Sequence, residues 1–138
     1  MVDFRARVNS EFEAIENTLS KLPDLPLSKL SELELAGVAT LIHNFYNGIE
    51  NILKQTFRKK SLDIPSGESW HRDLLVTARD EGIITSKLFN HLTEYLAFRH
   101  FFTHAYALDL QPDRMESLIE NIQVVYDKFK KEILRTDF

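Results

Sequence analysis

Helix breakers are scarce in this chain, and between them apolar residues return every three or four positions. Only four glycines and four prolines occur among 138 residues. Val38, Leu41, Ile42, Phe45, Ile49, Ile52 and Leu53 form one stripe that continues for about four turns of helix. The strict alternation that a half-buried strand requires is missing from these segments. The pattern therefore predicts an all-α fold, an antiparallel four- to five-helix bundle whose short connections join neighbouring helices.

The spacing predicts a first helix over about residues 3 to 21, with Phe4, Val8, Phe12, Ile15 and Leu19 inward, ended by the proline-rich LPDLPL at 22 to 27. A long second helix should run from Ser28 or Ser31 to Lys60, with Ser31 and Glu34 spaced as a capping box. After the turn-rich SLDIPSGE at 61 to 68, Ser69 can cap a short helix carrying Trp70, Leu74, Leu75 and Ala78, which Gly82 closes. Thr85 can cap a fourth helix with Leu88, Leu92, Tyr95 and Leu96 inward. Gln111-Pro112 opens a last one carrying Met115, Leu118, Ile119, Ile122, Val125, Phe129 and Ile133. With no repeats, low-complexity tracts or linkers, residues 1 to 138 read as a single domain.

Composition narrows the class of function. The absence of cysteine excludes disulfides and Cys-based zinc sites. No window approaches the roughly 18 continuous apolar residues that span a bilayer, and the acidic N-terminus lacks the apolar core of a secretory signal, so a cytoplasmic protein with no membrane partner is expected. A net charge of -4 offers no global attraction to nucleic acid, so RNA binding has to be local or created by oligomerisation. The basic cluster Arg58, Lys59, Lys60, with Lys54 a turn earlier, suits the C-terminus of a helix better than a phosphate-binding patch, the other reading open to it.

Chemistry concentrates in RHFFTHAY, Arg99 to Tyr106, where a permanent cation, two groups that titrate near neutrality and a phenol lie within about two turns. Arg99, Thr103 and Tyr106 share one helical face, and His100 and His104 form a second i, i+4 pair. Arg99 could simply pair with Glu94. It continues the stripe of residues 88, 92, 95 and 96, however, where a guanidinium needs a strong partner such as phosphate. His100 and His104 have the spacing of helical metal ligands but lack an intervening acid and an evident third ligand, so no metal or other cofactor is expected. Arg99 and His104 stand about 140° apart on an ideal helix. They can share a substrate only if the helix bends or ends between them, or if a second subunit supplies one of the two.

The arrangement Arg-x4-His-x-Tyr, together with HNFYNGIENILK (43 to 54), SWHRDLL (69 to 75) and YLAFRHFFTHAYALDL (95 to 110), resembles the HEPN superfamily, specifically the HepT-like ribonuclease toxins. The resemblance covers most of the chain. It implies a helical bundle that homodimerises, bringing two copies of the motif to a shared cleft. It further implies a metal-independent endoribonuclease toxin with Arg99 and His104 as catalytic motif residues. The implied partner is a small MNT-type nucleotidyltransferase antitoxin that attaches AMP to Tyr106. Many relatives carry Asn or Asp directly after the arginine, where this chain has His100, so His100 and Thr103 are auxiliary candidates and the roles of the two histidines are not separated. Two other readings stand beside the nuclease: a non-catalytic helical partner, or substrate-binding subunit, of such a nucleotidyltransferase, and a plain helical dimerisation domain whose RHFFTH segment is interface packing.

Overall fold

The computed structural model describes residues 3–105 and 110–136, and these form five α-helices and one short 3-10 turn. Helix α1 is Phe4–Leu19, α2 Glu32–Lys59, α3 Trp70–Asp80, α4 Ser86–Ala105 and α5 Pro112–Arg135. The 3-10 turn, Leu27–Lys29, follows the proline-rich break. Each expected helix is present, with ends within one or two residues of expectation, except that Ser28, one of the two starts open to the second helix, falls in the 3-10 turn and Ser31 is the cap.

Local chemistry explains most of these boundaries. At the start of α2 the Glu34 N–H donates to the Ser31 hydroxyl and the Ser31 N–H to the Glu34 carboxylate, a complete capping box. Helix α3 ends on Gly82 at φ 74, and the Ile83 N–H returns to the Ala78 carbonyl at 2.9 Å, closing the last turn in the way a left-handed residue permits. Ser69 departs from its expected capping role. Its hydroxyl donates to the Asp73 carboxylate at 3.0 Å and leaves the helix's first N–H groups uncapped by that side chain. Thr85 does cap α4, accepting from the Leu88 N–H at 3.2 Å. The buried Glu132 of α5 in turn accepts from both the N–H and the hydroxyl of Thr85, at 2.7 and 3.0 Å.

Helix α2 is the axis of the bundle and packs against α1, α3, α4 and α5. Phe12 and Ile15 of α1, Leu74 and Leu75 of α3, Leu88, Leu92 and Tyr95 of α4, and Ile122, Phe129 and Ile133 of α5 enclose Phe45, Ile49, Leu53 and Phe57 in one buried cluster. The α1–α2 crossing is tight at Gly48, where an added Cβ would stand 2.5 Å from Cγ1 of Ile15. The Tyr95 hydroxyl donates to the Leu118 carbonyl at 2.6 Å and ties α4 to α5 one turn before Arg99. No helix among the described residues is long and apolar enough to cross a membrane.

Candidate functional site

Helix α4 runs unbroken from Ser86 to Ala105, so Arg99 and His104 keep the angular separation of a regular helix. Arg99 is half-buried, in line with the core residues Leu88, Leu92 and Tyr95, whereas His100, Thr103 and His104 are exposed. The His100 and His104 rings lie 4.3 Å apart, centroid to centroid. Among the described residues no further potential ligands gather with them into a metal-binding group. The Thr103 hydroxyl donates to the carbonyls of Arg99 and His100, each at 3.1 Å, and its proton is thereby used within its own helix. Tyr106 lies outside the described residues.

What stands beside Arg99 comes from α2. Its Nε donates to Oδ1 of Asn47 at 3.3 Å, and among the described residues no carboxylate, Glu94 included, forms an ion pair with it. A neutral amide can orient a guanidinium but cannot cancel its charge. Among the described residues the half-buried cation thus has its electrostatic demand open, which suits the capture of an oxyanion.

Residues one turn either side of Asn47 extend this polar stripe. His43 is half-buried, with its ring 5.4 Å from that of Phe102, and its Nδ1 is sealed from solvent with no hydrogen-bond partner among the described residues. Burial, and then the positive charge of Arg99, hold the His43 pKa below 6.5, favouring the neutral imidazole. Tyr46 is fully buried. Burial and the neighbouring Glu50 carboxylate push its phenol pKa well above 10, so it stays protonated, with Arg99 opposing weakly. Glu50, 3% exposed, accepts from Nδ1 of His71 on α3 through both carboxylate oxygens, at 2.8 and 3.0 Å. The His71 ring packs on Trp70 at 3.6 Å, and Nζ of Lys54 lies 4.1 Å over the same indole. Lys54 therefore belongs with α3, while Arg58 and Lys59 sit exposed in the last turn of α2, as expected of helix-end cations.

Sequence reasoning singled out Arg99 but not Asn47 and His43, the α2 residues that the structure sets near it, nor Glu50, which α2 turns toward His71. The signal was present: offsets of four and seven put His43, Asn47 and Glu50 along one edge of the amphipathic α2. What the spacing could not reveal is that this edge faces Arg99 and α3.

Comparison with known proteins agrees with this architecture. A solved structure, the cytosolic protein of unknown function YutE from Bacillus subtilis, is similar over 94% of this chain and 87% of its own length, with a TM-score of 0.74 and 19% sequence identity, and so shares the fold. No curated protein matches the sequence significantly. The family model described as HepT-like protein matches residues 37–137, which takes in nearly all of α2, the Arg99 segment and α5. By that match, over most of its length, the chain belongs to the HepT-like family, a group of HEPN type.

Proposed function

We propose that this protein is a metal-independent endoribonuclease, the toxin of a HepT/MNT-type pair, that cuts RNA in a cleft shared by two copies of the chain. The observation that carries the reading is the half-buried Arg99, held by the neutral Asn47 and paired with no acid among the described residues. Cleavage without a metal needs a base for the ribose 2′-OH, an acid for the departing 5′-oxygen and a cation for charge on the phosphorane. Arg99 supplies the cation and His104 transfers a proton. The exposure of His104, on a different face of α4 from Arg99, suits a role across a two-fold axis, where one copy's arginine meets the other copy's histidine. Adenylylation of Tyr106 by a nucleotidyltransferase partner would put a phosphate and a nucleoside where the substrate binds, and silence the toxin by occupancy and charge.

The test is cleavage of single-stranded RNA in EDTA, with the product ends identified. A 2′,3′-cyclic phosphate is expected. Arg99→Ala and His104→Ala should abolish cutting while far-UV circular dichroism stays helical, and normal cutting by both variants would remove these residues from the site. One feature favours a second reading, a non-catalytic partner of a nucleotidyltransferase: within one subunit His104 lies beside His100 rather than beside Arg99. Absence of RNA cleavage, together with stable binding to such an enzyme, would establish that reading instead.

A further inference from the structure

Within one subunit the histidine that shares the surroundings of Arg99 is His43 of α2, and we propose that His43 is the general base of the reaction, leaving His104 as the general acid. The assignment rests on the nuclease reading above and completes it, since that reading requires two proton-transfer groups and names one.

Three features of the structure lead to His43. It precedes Asn47 by four residues on one face of α2, and Asn47 holds the Arg99 guanidinium, so the imidazole and the phosphate-binding cation belong to one wall. The ring rests against Phe102, three residues beyond Arg99 on α4, which fixes it between the two helices. Its Nδ1 is sealed from solvent without a partner among the described residues, so Nε2 is the nitrogen left to meet a ligand. An unpaired buried nitrogen is costly, and a position that keeps one calls for a reason, of which a functional role is one.

The charges around the ring suit a base. Arg99 is the charged group facing His43 from α4; on its own helix Asn47 is neutral and Tyr46 stays protonated. Burial and Arg99 both disfavour the imidazolium, so the ring is neutral before substrate arrives. Once a phosphodiester settles on Arg99, its negative charge offsets that of the guanidinium and the imidazole becomes a stronger base at the moment it is needed. Nε2 then takes the proton of the ribose 2′-OH and the 2′-oxygen bonds to phosphorus. The bond from phosphorus to the 5′-oxygen breaks, and that oxygen takes a proton from the imidazolium of His104. The products are a 2′,3′-cyclic phosphate and a free 5′-hydroxyl, and exchange with solvent restores both histidines.

Two measurements on the full-length protein test this. The first follows the five imidazole Cε1–H resonances by NMR as pH varies, in the wild type and in Arg99→Gln. His43 should titrate below 6.5, and its midpoint should rise both in Arg99→Gln and when a 2′-deoxy oligonucleotide is added to the wild type. A midpoint indifferent to both changes would overturn the proposal without any variant of His43 having to fold. The second is the pH–rate profile of RNA cleavage in EDTA. His43→Asn should lower kcat about a hundredfold or more, leave KM within a few-fold and abolish the acidic limb. If the wild type cuts and His43→Asn cuts equally well with the acidic limb intact, His43 is not the base and the nuclease reading survives. If the wild type is inert at every pH, the nuclease reading fails and this role fails with it.

Discussion

Two residues of α2, Glu50 and His43, carry energetic consequences that can be measured without any substrate. Glu50 is nearly sealed, and His71 is its hydrogen-bond donor. His71→Ala would leave the carboxylate buried without that donor and should cost about 2 kcal/mol in urea unfolding at pH 7, because an orphaned buried acceptor is expensive. Adding Glu50→Gln to that background should recover part of the loss, since a neutral amide is less costly to bury than a carboxylate. His43 affects stability through pH. Its folded-state pKa lies below the unfolded value near 6.5, so as pH falls through 6.5 the unfolded chain takes up a proton that the folded one refuses. Stability should fall over that window and level off once the folded pKa is passed. His43→Asn should show a shallower loss between pH 7 and 5 in parallel unfolding experiments, and an unchanged slope would mean that the ring is solvated. Both side chains could be named from the sequence as polar residues alongside the apolar stripe of α2. Their pairing with α3 and α4 could not, because α2 periodicity gives only the angle of a side chain and not the helix it meets.

At the scale of the elements, the sequence was most legible where interactions are local. The Ser31–Glu34 capping box and the Gly82 turn involve residues a few positions apart, and both occur as expected. Ser69 shows the limit of that reasoning: it has the composition of a cap, yet its hydroxyl bonds Asp73 instead. The α1–α2 crossing was invisible beforehand, since nothing in the pattern set Gly48 apart from Gly37, which has open space around it. Gly48→Ala gains helix propensity of about 1 kcal/mol but drives a methyl group into Ile15, an overpacking cost of about 1–3 kcal/mol. The net expectation is destabilisation by about 1 kcal/mol. Gly37→Ala should be stabilising by up to about 1 kcal/mol. In a double-mutant cycle, Gly48→Ala should cost less in an Ile15→Ala background, where the obstructing Cγ1 is gone.

At the scale of the whole molecule, the proposed nuclease needs two chains. The unbroken α4 keeps Arg99 and His104 on different faces, so of the arrangements open to the motif only a second subunit brings the two together. Light scattering at micromolar concentration should therefore give twice the 16.1 kDa of one chain, and a clean monomer would remove the shared cleft. Co-expression with a nucleotidyltransferase partner and ATP should add one adenylyl group at Tyr106, and Tyr106→Phe should block the modification while cleavage persists at least in part. The sequence by itself determined the helices, their inward faces and the family, because periodicity, capping and motif spacing all act over a few residues or are carried in the order of the chain. The tertiary structure alone decided what surrounds Arg99: the amide of Asn47 and the imidazole of His43 come from a helix some fifty residues earlier in the chain. Which helix faces which is settled by packing the whole core at once, with the close crossing at Gly48 setting α1 against α2 and the Glu132 and Tyr95 ties setting α4 against α5.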